Sequence, residues 1–271
     1  MFRIPQKLSC RALFWLGFIL MALAGVRLHA QPLAPSGYTG AINTPTADVL
    51  GYGQLVGSMS NTMPERGRAY PGVGSFGGTN VGFGAIPSLE VSGRLTYDGD
   101  LWCNQYAKDC VSSLRDLSLG GKYKLPLNDL PFNTRFALGV TDFGGAATYY
   151  RQYYGVGTAN FKSIEVSAGL SAATQGGLMH GKFASVSIAL ADPLRLIAES
   201  DTREKRVGFD YRISVLPDLQ VAFGSSRKVT NHTDQQRSQM TISLTYALDG
   251  SAKRNGQLAA PVSRMLCLRA M

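Results

Sequence analysis

The feature that most constrains this chain is a period-two alternation of apolar and polar residues, repeated in about a dozen short stretches. Between Ser88 and Tyr97, the residues Leu89, Val91, Gly93, Leu95 and Tyr97 share one face, and Ser88, Glu90, Ser92, Arg94 and Thr96 share the other. Leu117, Leu119, Gly121, Tyr123 and Leu125 stand in the same way against Asp116, Ser118, Lys122 and Lys124. A third case sets Val207, Phe209, Tyr211, Ile213 and Val215 against Arg206, Asp210, Arg212 and Ser214. Successive side chains of an extended strand point to opposite faces, so each stretch places one face in an apolar medium and the other in water.

The alternation predicts strands over 52–60, 79–86, 88–97, 115–125, 134–143, 147–158, 162–172, 181–190, 194–201, 205–215, 218–227 and 239–248. Tight Pro or Asp turns join several of them, as at Ile86-Pro87-Ser88, Leu130-Pro131-Phe132-Asn133 and Leu216-Pro217-Asp218-Leu219. The longer connections 61–78, 98–114, 173–180 and 228–238 tend to alternate with these. An even number of antiparallel strands with short turns at one end and long loops at the other is the layout of a bacterial outer-membrane barrel. The expected fold is therefore all-β, an antiparallel transmembrane β-barrel of about 12 strands spanning 52–248. Residues 31–51 form a lead-in segment in reach of the lumen as a plug. A soluble periplasmic β-sandwich is the rival, because its strands also alternate. Tyr97, Tyr123, Phe143, Tyr211 and Tyr246 near the ends of the apolar faces, where girdles lie, and charges of both signs on the polar faces favour the barrel.

The N-terminus carries Arg3, Lys7 and Arg11, an apolar run from Ala12 to Val26, and Leu28-His29-Ala30. This is the pattern of a secretory signal cut after Ala30, and the run falls short of the roughly 20 residues of a spanning helix. Removing it takes away four bases and no acids, lowering the formal charge from +9 to +5. Four more bases, Lys253, Arg254, Arg264 and Arg269, lie in the irregular tail 249–271. The body between is nearly neutral, which argues against a nucleic-acid surface. The tail shows neither alternation nor a terminal aromatic of the kind barrel-assembly machinery reads, which leaves an incomplete barrel as an alternative. Cys103 and Cys110 lie in a polar stretch between strong strands, and an exported compartment favours a loop disulfide between them.

Several blocks, in order, resemble the YjbH-like outer-membrane proteins linked to exopolysaccharide biosynthesis. They are Gly40-Ala41-Ile42-Asn43-Thr44-Pro45-Thr46-Ala47, Ile86-Pro87-Ser88-Leu89-Glu90-Val91-Ser92-Gly93-Arg94, Ala137-Leu138-Gly139-Val140-Thr141-Asp142-Phe143-Gly144-Gly145, and Leu196-Ile197-Ala198-Glu199-Ser200-Asp201 followed by Gly208-Phe209-Asp210-Tyr211-Arg212. The resemblance implies a barrel tied to secretion or assembly of extracellular polysaccharide, with that polymer and other polysaccharide-secretion proteins as partners. It supplies no catalytic residues.

Enzymatic barrels need a nucleophile with a His base. Only His180 and His232 follow the signal, both in expected loops. No nucleophile elbow, phosphate-cradling loop or zinc helix stands in a fitting context, so no cofactor or metal is expected. Glu90, Arg94, Glu199, Asp201, Asp210 and Arg212 are candidates to face the lumen. Tyr149, Tyr150, Tyr153 and Tyr154 are candidates to stack on sugar rings, with girdle or hairpin packing as the plainer role. The leading expectation is a non-enzymatic barrel supporting exopolysaccharide export. The alternatives are a lipid- or glycan-modifying barrel using either histidine, and an adhesive barrel with loops stapled by Cys103 and Cys110.

Overall fold

A computed structural model describes residues 32–61, 77–97, 115–127, 129–144, 151–173, 179–229 and 238–248. The expected signal and tail, Cys103, Cys110, Tyr149, Tyr150 and His232 lie outside the described residues. Twelve strands follow one another: β1 (Gln54–Ser60), β2 (Gly77–Ile86), β3 (Leu89–Tyr97), β4 (Arg115–Lys124), β5 (Arg135–Gly144), β6 (Gln152–Phe161), β7 (Ile164–Ala173), β8 (Gly181–Ala191), β9 (Leu194–Ser200), β10 (Lys205–Leu216), β11 (Leu219–Lys228) and β12 (Ser238–Ala247). Each pairs antiparallel with its neighbour in sequence, and β1 closes on β12 from Gln54↔Ala247 to Ser60↔Thr241. The alternative of an incomplete barrel is thereby corrected, since continuous pairing across the β1–β12 seam leaves no open edge among the described strands.

The barrel is polar inside and apolar outside. On β10, Val207, Phe209, Tyr211, Ile213 and Val215 are exposed, while Arg206 and Asp210 on the opposite face are buried. Met240, Ile242, Leu244 and Tyr246 of β12 are likewise exposed, with Gln239, Ser243 and Thr245 buried. A sandwich would bury the apolar set, so the sandwich reading is excluded by orientation. An apolar belt around a closed ring of strands requires lipid, and the protein is an outer-membrane β-barrel.

One end of the barrel carries the tight connections at 87–88, 162–163, 192–193 and 217–218 with the longer 125–134, and the other carries the remaining loops, all longer than two residues. The tight end therefore faces the periplasm. Three of its hairpins skip one residue just before the turn, with register shifts at Gly84/Ile86, Ala189/Ala191 and Ser214/Leu216, which adds twist where the ladder must stop. Between β4 and β5 the register jumps from Leu119↔Gly144 to Gly121↔Val140, and Asp142 sits in the left-handed region at φ 55° inside that bulge.

The β6–β7 boundary differs from expectation. The alternation predicts strands at 147–158 and 162–172, whereas the ladder runs on to Phe161↔Ile164 and turns at Lys162–Ser163. Lys162 takes the positive φ of 57° that this turn demands, and no Gly or Pro marks it. Phe132, in a short 3-10 turn at Pro131–Asn133, also has a positive φ and lays its ring 4.7 Å from that of Phe161. The pair forms part of the aromatic girdle at the periplasmic interface.

Candidate functional site

Residues 32–53 fold back into the lumen and fill it. Two small turns shape the segment, one closed by the Leu33↔Thr39 bridge and one by Gly40↔Pro45. Gly37 at φ 89° allows the first, and the Ala41 N–H donates to the Thr44 carbonyl at 2.9 Å to close the second. Every residue from Leu33 to Ala47 is buried. The plug joins β1 where Gly51 passes close to Gly84 of β2: a Cβ on Gly84 would overlap the Gly51 carbonyl. Only glycine permits that approach.

Two clamps hold the plug, one on each side of the lumen. On the β3–β4 side the Thr39 N–H donates to Glu90 Oε1 at 2.9 Å, and the Leu50 N–H donates to Oε2 at 3.0 Å. The Thr39 hydroxyl lies 2.8 Å from Glu90 Oε2 and 2.6 Å from the Asp48 carbonyl. Lys122 Nζ donates to the carbonyls of Thr39 at 2.7 Å and Thr46 at 3.2 Å, bonds the Thr39 hydroxyl, and pairs with Glu90 at 3.9 Å. Register explains the pairing, because Glu90 and Lys122 are directly opposed across β3 and β4.

On the β9 side the Glu199 carboxylate sits in a nest of backbone donors. Ile42 N, Asn43 N and Thr44 N donate to Oε2 at 3.1, 2.9 and 3.1 Å, Asn43 N also reaches Oε1 at 2.8 Å, and the Thr44 hydroxyl adds a bond of 3.0 Å. Three successive N–H groups freed by a tight turn make an anion-binding concavity, here occupied by a carboxylate of the wall. Between the clamps, Thr158 Oγ1 accepts from the Ala47 N–H at 2.8 Å.

Apolar contact is modest and local. Ala34, Tyr38 and Ala47 of the plug pack with Ala137, Tyr154, Val156, Met179 and Phe183; Leu33 and Leu50 meet Val56; Ala41 and Ile42 meet Ile197. The Tyr38 and Tyr154 rings pack at a tilt of 58° with centroids 5.2 Å apart. A residual cavity of about 30 Å³ beside Leu33, Ile42 and Asp210 is large enough for roughly two waters.

Nearer the periplasmic mouth, ion pairs run around the wall. Arg135 joins Asp48 at 2.7 Å and Glu165 at 3.5 Å; Arg195 joins Glu165 at 3.6 Å and Asp210 at 3.0 Å; Arg212 joins Asp210 at 2.6 Å. Acids and bases alternate along this chain, so charges brought inside a lipid-bound barrel are compensated in place.

The lumenal candidates named from sequence all face inward, with distinct roles. Glu90 and Glu199 hold the plug. Asp210 and Arg212 belong to the ion-pair chain. Arg94 donates from Nε to Ser118 Oγ at 3.2 Å. Asp201 caps the β9–β10 turn by accepting from Arg203 N and Glu204 N, and also takes the Asn43 side chain at 3.3 Å. Sequence reasoning did not single out Lys122, Arg135 or Arg195, nor Thr39 and Asn43 of the plug. Lys122 stood on a polar face, but its opposition to Glu90 depends on a register that a single strand does not reveal.

Of the tyrosines expected to form a platform, Tyr149 and Tyr150 lie outside the described residues, and the expectation is corrected for Tyr153 and Tyr154, which share no face. Tyr153 is exposed on the lipid face and Tyr154 is buried in the lumen, because adjacent strand residues point to opposite sides. Tyr154 covers Gly139 of β5, where a Cβ would collide with its ring, so it packs the plug and offers no sugar-stacking face. His180 is solvent-exposed, with Nδ1 accepting the Ala173 N–H at 3.3 Å. Among the described residues, no group of three or more His, Cys, Asp or Glu gathers as a metal site.

No protein-family model matches the chain, and no curated protein matches it in sequence. Among solved structures, it is similar to the KdgM porin at 8% identity, covering 71% of this chain and 98% of that one with a TM-score of 0.44. It is similar to the NanC porin at 12% identity, covering 72% and 99% with a TM-score of 0.42. A similar match is outer membrane phospholipase A from Escherichia coli, at 10% identity, covering 72% and 88% with a TM-score of 0.38. Likenesses this distant assign no activity or ligand.

Proposed function

We propose that this barrel is a plug-gated, non-enzymatic component of exopolysaccharide biosynthesis, in which movement of residues 32–53 opens the lumen to polymer or to an assembly partner. The observation that carries the reading is that the plug's backbone is anchored by hydrogen bonds to polar side chains of the wall, Glu90, Lys122, Thr158 and Glu199, beside its apolar contacts. Were the plug to leave, Glu90, Lys122, Thr158 and Glu199 would be met by water, which replaces a hydrogen bond at little net cost. The apolar contacts at Tyr154, Phe183 and Ile197 would be exposed at the same time, which favours the closed state. The ordered blocks resembling the exopolysaccharide-linked family support polysaccharide as the cargo, with other polysaccharide-secretion proteins as partners and barrel-assembly machinery as the route of insertion.

The test is to lock the plug. The Ala47 nitrogen lies 2.8 Å from Thr158 Oγ1, which limits their Cα separation to about 6.7 Å and places the pair within disulfide range. The Ala47→Cys/Thr158→Cys protein is expected to lose polymer secretion when oxidised and regain it with reductant, the parent barrel being unaffected by either treatment. Full secretion with the cross-link formed would reject gating by this segment. Full secretion in cells lacking the barrel would reject the role in polysaccharide altogether.

A further inference from the structure

We infer that the outer rim of β8–β11 binds the phosphates of an outer-leaflet glycolipid through Lys182, Lys205 and Arg227. All three residues are exposed, and all three lie on the lipid-facing side of their strands at the loop end. They stand eight to eleven residues from the periplasmic ends of β8, β10 and β11. At about 3.3 Å per residue and a tilt near 40°, that is roughly 20 to 28 Å of height, the level at which an apolar band of about 25 Å ends and outer-leaflet headgroups begin.

Register brings the three together. Lys205 opposes Ser200 of β9, Ser200 opposes Ala184 of β8, and Lys182 is two residues beyond Ala184. Arg227 opposes Val207, two residues along from Lys205. At a strand spacing of about 4.8 Å and about 3.3 Å per residue, Lys205 lies roughly 12 Å from Lys182 and roughly 8 Å from Arg227 between backbones, so their long side chains flank the phosphates of one headgroup. Beneath them the same face is apolar, with Val186 and Ile188 on β8, Leu196 on β9, and Val207 and Phe209 on β10. Cations above an acyl-compatible wall match a phosphorylated headgroup above its chains.

The charge arrangement is one-sided. At this end Asp142 and Asp201 are buried, and Glu204 bonds Arg206 and pairs with Lys228 at 3.1 Å. Arg206 and Lys228 belong to that inward cluster. Among the described residues no acid pairs with Lys182, Lys205 or Arg227, and the three present their charge to the membrane surface, where a cation near anionic headgroups is favoured. The periplasmic end differs, since exposed Asp129, Asp192 and Asp218 accompany Lys162 there.

The test uses the folded barrel in neutral detergent and reads the temperature at which its compact, unboiled gel band is lost. Bis-phosphorylated lipid A is expected to raise that temperature for the parent protein. Dephosphorylated lipid A and phosphatidylglycerol should raise it much less. K182Q/K205Q/R227Q should keep the compact band and less than half of the lipid A response, while K182R/K205R retains it. If the triple variant gives no compact band, K182Q/K205Q and K205Q/R227Q carry the same comparison. An undiminished response in the glutamine variants overturns the site. An equal rise with dephosphorylated lipid A shows that phosphate is not read, and an equal rise with phosphatidylglycerol shows general anion attraction; either result overturns the assignment.

Discussion

The carboxylate of Glu199 holds the backbone N–H of Asn43, 156 residues earlier in the chain, with both of its oxygens, at 2.8 and 2.9 Å. One wall side chain thus fixes the tip of the plug. Removing it leaves the N–H groups of Ile42, Asn43 and Thr44 buried without their acceptor, at about 1–3 kcal/mol for each orphaned donor. Glu199→Ala is expected to shift the plug toward release by at least ~3 kcal/mol, more than about 100-fold in the open-to-closed ratio. Single-channel recording in planar bilayers should show openings that are rare in the parent, and a silent variant would count against the clamp.

The Glu90 and Lys122 side chains are almost fully buried, so removing either alone strands the other charge. Lys122→Met should cost about 3–5 kcal/mol of folding free energy. The double variant Lys122→Met/Glu90→Gln should recover part of that loss, because no lone charge remains. Urea unfolding of barrels in liposomes, read as a double-mutant cycle, measures this; additive losses would mean that the two residues act independently.

Gly84 and Gly57 make a matched pair of probes. A Cβ at Gly84 falls on the Gly51 carbonyl at the plug–barrel joint, and a Cβ at Gly57 meets nothing within 4 Å. Gly84→Ala is therefore expected to loosen the joint and expose residues 48–53 to protease, while Gly57→Ala leaves the digestion pattern unchanged. Equal protection in both proteins would show that the close approach is dispensable.

Tyr154 separates packing from hydrogen bonding. Its ring packs against Tyr38 and covers Gly139, and its hydroxyl makes no hydrogen bond in the structure. Tyr154→Phe should change stability by less than about 1 kcal/mol, whereas Tyr154→Ala should lose about 3–5 kcal/mol by opening a cavity. Thermal loss of the compact gel band ranks the two, and a Phe variant as weak as the Ala variant would mean the hydroxyl has a role that packing does not explain.

Asp210 accepts from Arg195 and from Arg212 inside the lumen. Asp210→Asn leaves two guanidinium groups facing an uncharged amide, and a loss of about 2–4 kcal/mol is expected. Arg212→Ala in the same background should soften the loss, because Arg195 keeps Glu165 at 3.6 Å and Arg212 is the cation left without its partner. Urea midpoints for the single and double variants decide it.

The alternation of side chains determined much of this protein without tertiary information. Strict period-two runs such as 88–97 and 205–215 fix both the extended backbone and the lipid-facing side, because that geometry depends only on neighbours in sequence. Inward placement of Glu90, Arg94, Glu199, Asp210 and Arg212 followed from the same rule. Parity also held the information that Tyr153 and Tyr154 diverge, although clustering in sequence suggested a shared platform.

Only the tertiary structure decided partners. Nothing local in Lys122 identifies Glu90 as its neighbour, since that depends on the β3–β4 register, and nothing local in Glu199 points to Asn43. The seam between β1 and β12 and the seating of residues 32–53 likewise join segments far apart in the chain. The plug has little alternation of its own because its backbone donors are satisfied by wall side chains rather than by a ladder. Its course becomes defined only when the closed barrel surrounds it and supplies those acceptors.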